Sequence, residues 1–164
     1  MSRAFVNEDS AAAQADQPVE RTVSDQPNYV TQRGLELLAD KVAQLQALAA
    51  EQQALGDTGD SQRLADLQRD LRYYSQRLQS AQVVMLASST QKVQIGNWVT
   101  FADEQGKQQR IQLVGEDQAD AHAGLINWSA PLGRAVLGAR RGDEVSWKRP
   151  KGDQVIEIID IALP

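Results

Sequence analysis

Cysteine is absent from this 164-residue chain, which excludes disulfide bonds and thiolate metal sites. The chain has a single histidine, His122, so no second imidazole or thiol is available to complete a metal site or an acid–base pair. We find no pairing of a nucleophile with a base and no glycine loop for phosphate. We therefore expect that the chain is not an enzyme, has no catalytic residue and holds no metal or cofactor on its own.

Long apolar stretches are missing as well. No run of about 18 apolar residues occurs, and the N-terminus lacks the apolar core of a signal peptide, so we expect neither a membrane span nor secretion. The net charge of −5 argues against a protein that wraps nucleic acid. Together with the lack of cysteine, these features favour a cytoplasmic protein, and we expect a monomer.

Composition changes along the chain and predicts its organisation. Residues 1–27 are rich in Ala, Gln, Asp, Ser and Pro without periodicity, which predicts a disordered tail. Residues 28–87 carry a helical pattern, residues 88–90 form a Ser/Thr linker, and residues 91–164 alternate in the manner of strands. We therefore expect one helical and one strand-rich domain.

Apolar side chains recur at steps of three and four residues in two stretches, which places them on one face of each of two helices. The first set is Leu35, Leu38, Val42, Leu45 and Ala49, continued at the same spacing by the polar Gln52, and the second is Leu64, Leu67, Leu71, Tyr74, Leu78, Ala81 and Met85. The segment Gly56–Ser61 between them carries two glycines with Asp, Thr and Ser, which favour turns and helix caps. The pattern predicts an antiparallel helical hairpin with Thr31 as its first cap, ending near Leu86.

Charged residues at and beyond the predicted turn allow two interpretations. Asp57 and Asp60 suit helix capping, but a pair of carboxylates is also sound chemistry for Mg²⁺ when a partner supplies further ligands. Arg63, Arg69 and Arg72 on the second helix are interleaved with acids. They predict either a solvated face with intrahelical ion pairs or a track for RNA phosphates or acidic protein walls.

The last part of the chain reads as short strands with one short helix. The predicted strands are Val93–Phe101, Arg110–Val114, Leu125–Trp128, Glu144–Lys148 and Val155–Ile161, and the predicted helix is Pro131–Leu137. This pattern is typical of a small α+β domain. Its tryptophans, Trp98, Trp128 and Trp147, are predicted to lie in the core.

Several segments together resemble the Gre family of bacterial transcript-cleavage factors. Tyr29–Gly34 looks like the start of the family's first long helix, and Asp70–Tyr74 through Leu78, followed by Ala81–Val84, looks like the end of its second. Ser129–Gly138 with Gly142–Val145 looks like its C-terminal signature. The likeness extends over about residues 28–164. It implies a coiled-coil hairpin joined to an FKBP-like domain.

In that family the globular domain binds RNA polymerase at the mouth of the secondary channel, and the hairpin enters the channel. Acids at the tip help hold a second Mg²⁺, and the polymerase then hydrolyses backtracked RNA. The resemblance implies these tip roles for Asp57 and Asp60, and polymerase docking for Ser129 and Pro131.

The chain departs from the family pattern at the tip and in the length of the helices. The family tip reads approximately Gly-Asp-x-x-Glu-Asn, whereas Asp60 and Ser61 replace the Glu and Asn here. Each helix also lacks about one heptad, which removes about 10 Å of reach. Three functions follow as alternatives: a cleavage factor, a short-armed Rnk-like regulator that occupies the channel without stimulating cleavage, and an FKBP-like prolyl isomerase or chaperone.

Overall fold

A computed structural model describes residues 18–164. Over these residues the chain forms two compact units. The helical unit contains residues 18–24 and 39–79, and the sheet unit contains residues 25–38 and 80–164. The predicted mixture of two long helices followed by a sheet is confirmed. No helix among the described residues is both long and apolar enough to cross a membrane.

The two long helices begin where the sequence predicts. Helix α1 is Gln32–Ala54 and helix α2 is Ser61–Ser80. Thr31 caps α1, because its hydroxyl oxygen accepts a hydrogen bond from the backbone N–H of Gly34 at 3.0 Å. Gly56, just beyond α1, has a φ of +52°, the left-handed conformation that commonly ends a helix and that glycine adopts without strain.

Helix α2 ends at Ser80, so the prediction that it continues to about Leu86 is wrong. The chain instead forms strand β2, Gln82–Val83, which pairs in parallel with strand β1, Tyr29–Val30. Two adjacent valines at 83 and 84 favour this extended conformation. Met85, the predicted last step of the second apolar set, is 92% exposed.

Five further strands form one sheet, in the order β5-β4-β3-β7-β6. They are β3 (Trp98–Ala102), β4 (Gln108–Val114), β5 (Leu125–Asn127), β6 (Glu144–Trp147) and β7 (Gln154–Ala162), and helix α3 is Pro131–Val136. Neighbours are antiparallel except β4 and β5, which run parallel. These elements confirm the strands and the short helix predicted for this region.

Strand β3 begins five residues later than predicted, because the chain first makes a turn around a buried asparagine. Gly96 has a φ of +101° in this turn. The side chain of Asn97 is fully buried and accepts a hydrogen bond from the Gln94 N–H at 2.8 Å. Its amide donates to the carbonyl oxygens of Ser89 at 3.2 Å and Ala162 at 3.0 Å. The turn is therefore hydrogen-bonded both to Ser89, a few residues before it, and to Ala162 at the end of the last strand.

The sheet and α3 enclose one apolar core. Its buried members are Val93, Val99, Phe101, Ile111, Leu113, Leu132, Val136, Ala139, Ile156, Ile158 and Ile161. The prediction that the three tryptophans lie in this core is wrong, because all three are half-buried and only Trp147 packs against it. Trp147 meets Phe101 edge-on with ring centres 6.2 Å apart, and Trp128 lies 5.3 Å from the ring of Tyr29.

The helical unit has a smaller apolar cluster drawn from both predicted sets. Leu45, Ala49 and Leu67 are buried, and Leu48, Leu64, Leu71 and Tyr74 pack against them. The cluster joins α1 to α2 along the predicted faces.

The predicted disordered tail lies partly outside the described residues, which begin at residue 18. Residues 18–27 contain no helix or strand. Even so, Glu20 and Arg21 contact side chains of α2, so this part of the tail belongs to the helical unit. Disorder in residues 1–17 and the predicted domain boundaries stay predictions.

Candidate functional site

The turn between α1 and α2 is held in one tight conformation. It contains a short 3-10 helix, Gly56–Thr58. The Thr58 hydroxyl donates to the carbonyl oxygen of Leu55 at 2.6 Å. A side-chain carbon added at Gly59 would lie 2.9 Å from the carbonyl oxygen of Gln52, so glycine is needed there. This hydrogen bond and this close approach therefore define the backbone conformation of the turn that carries the two carboxylates.

The two acids of this turn have different surroundings. One oxygen of Asp60 accepts a hydrogen bond from the Arg63 N–H at 3.0 Å and so caps α2. The Asp60 N–H donates to the side-chain oxygen of Gln52 at 3.2 Å, a contact for which the sequence carries no periodic signal. The Asp57 side chain is exposed and has no hydrogen bond or ion pair with another residue in the range 18–164. Asp57 is thus free to bind a ligand, while Asp60 is partly engaged.

The three candidate arginines of α2 also differ. Arg69 donates to Asp70 at 3.1 Å and lies 3.6 Å from Asp66, which is the intrahelical pairing that was one of the two interpretations. Arg63 is exposed at the start of α2. Arg72 donates from its Nε to Glu20 at 3.0 Å and makes a second bond to the same oxygen through its terminal nitrogen.

Sequence reasoning did not find the two tail residues on α2. The Arg21 guanidinium lies 3.9 Å from the centre of the Tyr73 ring and 3.6 Å from the Asp70 carboxylate. Its neighbour Glu20 binds Arg72, and this hydrogen bond holds the pKa of the Glu20 carboxyl below its ordinary value of 4.5. The only feature of the sequence that could have indicated these contacts is the pair of opposite charges at Glu20 and Arg21.

The predicted docking residues lie in the loop that leads into α3. The N–H and the hydroxyl of Ser129 both donate to the side-chain oxygen of Asn127, at 3.0 and 3.1 Å. Pro131 is exposed at the first position of α3, where a missing N–H costs nothing. A side-chain carbon at Gly133 would lie 2.3 Å from the Asn127 carbonyl oxygen, so α3 packs against the loop too closely for any side chain at this position.

An open hollow of about 560 Å³ lies on the sheet unit beside this loop. Ile111, Ile126, Leu132 and Trp147 give it apolar walls, and its lining also includes Arg110 and His122 among small and uncharged residues. No Asp or Glu lines this hollow in the part of the chain that the structure describes. Its chemistry therefore suits a partner that presents apolar side chains together with negative charge.

No group of three or more His, Asp or Glu side chains placed to hold a metal occurs among residues 18–164. His122 therefore does not belong to such a group. Asp57 and Asp60 together supply at most two carboxylates.

Comparison with known proteins identifies the family. The model of the C-terminal domain of the transcription elongation factors GreA and GreB matches residues 88–163. Transcription elongation factor GreB of Neisseria meningitidis serogroup B is 30% identical to this chain over 151 residues, with 82% of this chain and 93% of that protein covered. The chain belongs to the Gre family of transcription elongation factors.

Other proteins are similar to this Gre factor. Transcription elongation factor GreA of Sphingopyxis alaskensis is 34% identical over 130 residues, covering 68% of this chain and 82% of that protein. Among solved structures, the GreA factor homolog Gfh1 of Thermus thermophilus has a TM-score of 0.40 at 23% identity, covering 83% of this chain and 99% of that chain. The predicted family is confirmed, and the matched residues 88–163 of this Gre factor include the loop with Ser129 and Pro131.

Proposed function

We propose that this Gre factor binds RNA polymerase at the secondary channel, with its long helices as an arm and its sheet unit as the docking body. The arm is an antiparallel coiled-coil hairpin, and the sheet unit is FKBP-like. Family membership supports the partner. Contacts between Leu45 and Leu67 in one cluster, and between Gln52 and Asp60 at the turn, support the antiparallel pairing.

The tip acts by supplying carboxylates, and the single observation that carries this role is the exposed Asp57 side chain in the turn between the two helices. Mg²⁺ prefers oxygen ligands and is held by one or two carboxylates with water and phosphate oxygens. Asp57 and the free oxygen of Asp60 fit such a shared site, provided that the polymerase contributes the remaining ligands. Mg²⁺ held there would activate water for hydrolysis of backtracked RNA, a reaction that belongs to the polymerase and not to this chain.

The docking contact involves the exposed ring of Pro131 and the loop containing Ser129. The Ser129 hydroxyl is already bonded to Asn127, so its role is to hold the loop in shape for the partner. The neighbouring hollow, with Leu132 in its wall, extends this surface. An apolar, negatively charged element of the polymerase fits both features.

A second function, occupancy of the channel without cleavage, is favoured by the short helices. Helix α1 has 23 residues and α2 has 20, which correspond to about 35 and 30 Å. In the comparison with the Neisseria meningitidis GreB, 82% of 164 residues is about 134, so about 17 of the 151 aligned positions have no counterpart here. One heptad missing from each helix would account for most of them. Family membership gives no support to the third alternative, a prolyl isomerase or chaperone.

The test is RNA cleavage in stalled elongation complexes of purified RNA polymerase, measured beside binding. Asp57→Asn and Asp60→Asn remove charge, and Asn still caps a helix, so α2 stays intact. If the tip supplies metal ligands, the natural chain stimulates cleavage and each variant loses at least about 10- to 100-fold, the loss typical when a residue behind the direct ligands is removed. Glu104→Gln, on an exposed turn of the sheet unit, is the charge-matched control.

Two other outcomes decide between the proposed functions. Binding without stimulation, unchanged in both Asn variants, establishes occupancy without cleavage. Insertion of seven residues after Gln52 and seven before Leu64 should then restore cleavage, because the apolar cluster keeps its register while the tip gains about 10 Å. The same insertion in one helix alone should not. Failure of every form to bind polymerase would refute both functions.

A further inference from the structure

Residues 18–24, which we call the strap, contact α2 through the side chains of Glu20 and Arg21. Pro18 and Glu20 line a small cavity together with Ala65, Gln68 and Arg72 of α2. Positions 65, 68 and 72 share one side of the helix, while Leu67 and the rest of the cluster occupy another. Glu20 thus lies on a different side of α2 from the cluster, whereas the Arg21 guanidinium lies 5.0 Å from the centre of the Tyr74 ring, which packs against the cluster.

The strap is held by alternating charges. The Glu20 carboxylate accepts two hydrogen bonds from the Arg72 guanidinium. The guanidinium of the next residue, Arg21, lies 3.6 Å from the Asp70 carboxylate and over the face of the Tyr73 ring. Both contacts attract it, because the face of an aromatic ring is electronegative. The acidic strap residue therefore pairs with a basic residue of α2, and the basic strap residue pairs with an acidic one.

Glu20 uses the donors that Arg72 would offer to another protein. A guanidinium presents its N–H groups as a planar fork that fits a carboxylate, and two of those donors point at one oxygen of Glu20. The side chains of Arg72 and Glu20 remain 56% and 64% exposed. An ion pair this exposed is weak and is screened by salt, so a partner can displace it. Because Glu20 is tethered close by, it nevertheless competes at high effective concentration.

We infer that the strap is a built-in competitor: Glu20 occupies Arg72 until a carboxylate on the surface of RNA polymerase takes its place. This inference rests on the proposed function, which brings α2 against the polymerase. A protein carboxylate is favoured over RNA because the chain carries a net charge of −5. This charge would repel the repeated charges of a nucleic acid more than it would repel a single carboxylate.

The experiment measures the affinity of the full chain for RNA polymerase that is free of nucleic acid. Glu20→Gln should raise the affinity about two- to fivefold, the range that an exposed ion pair accounts for. Glu104→Gln makes the same change in net charge far along the sequence and should leave the affinity unchanged. Arg72→Gln should lower the affinity, and adding Glu20→Gln to Arg72→Gln should have no further effect.

The inference is overturned if Glu20→Gln weakens binding, if it acts equally in the Arg72→Gln chain, or if the gain occurs only with complexes that contain RNA. If the natural chain binds and Glu20→Gln binds equally well, the strap inference fails and the proposed function stands. If no form binds RNA polymerase, the proposed function and this inference are both refuted. Hydrogen exchange of residues 61–80 in the free chain gives a second readout, since Glu20→Gln should raise exchange there and Glu104→Gln should not.

Discussion

The sheet unit and the helical unit are stabilised in different ways. The sheet unit buries eleven apolar residues in one core drawn from strands, loops and α3. The helical unit buries three apolar residues in its cluster and surrounds them with four half-buried ones. The helical unit therefore has fewer buried apolar contacts, so helix caps and ion pairs contribute a larger share of its stability, because two helices enclose only a narrow seam.

All three tryptophans lie in the sheet unit, and the two long helices dominate the helical signal. Tryptophan fluorescence therefore reports on the sheet unit, and circular dichroism at 222 nm reports mainly on the helices. These two signals allow the comparison to be tested one unit at a time.

The largest effect is expected from Phe101→Ala. Phe101 is 1% exposed in the centre of the sheet core, and truncation of a buried phenylalanine costs about 3–5 kcal/mol of unfolding free energy. Denaturation followed by tryptophan fluorescence should show this loss. A change below about 1 kcal/mol would mean that the sheet unit does not depend on this core.

Leu67→Ala should have a smaller effect, confined to the helical unit. Leu67 is buried in the small cluster at 9% exposure, and its truncation should cost about 2–3 kcal/mol, near the lower end for buried leucine because the seam is open to solvent. The helical dichroism should melt earlier while the fluorescence transition stays in place. Leu37→Ala, an exposed leucine on α1, is the matched control and should change little.

Asp60→Ala tests the turn between α1 and α2 and should lower stability less than Leu67→Ala does. Asp60 caps α2, so its removal should lower stability by about 1 kcal/mol, seen as an earlier melt of the helical signal. Asp57→Ala, three residues away and without such a bond, should change stability by less than about 0.5 kcal/mol. Equal losses in the two variants would contradict the different roles assigned to these acids.

The smallest effect is the pH dependence of the strap. The bond to Arg72, with help from the nearby charge of Arg69, lowers the pKa of the Glu20 carboxyl below 4.5. A lowered pKa means that the contact is complete above pH 4.5 and is lost as the pH falls through the lowered value. Carbon NMR of the Glu20 carboxyl should show a midpoint below 4.5 that returns towards 4.5 in Arg72→Gln. An unchanged midpoint in that variant would refute the ion pair.

Local chemistry made much of the fold predictable. The Thr31 cap, the left-handed Gly56 and the spacing of Leu45, Leu64 and Leu67 each act within a few residues, so a single sequence reveals them. The same holds for α3, where a proline stands at the first helical position. The acids of the tip were also visible, because turn residues and helix caps have characteristic types.

The sequence alone therefore determined where the two long helices begin and which of their faces are apolar, because these properties depend on neighbours along the chain. Only the tertiary structure decided that α2 stops at Ser80, since strand β2 pairs with a strand that lies about fifty residues earlier. It also decided that Glu20 binds Arg72, 52 positions away, and that Asn97 is fastened to Ala162. Residues in such contacts are far apart in the sequence, and no repeating pattern connects their positions. The contacts form only where the folded chain brings a hydrogen-bond donor next to an acceptor.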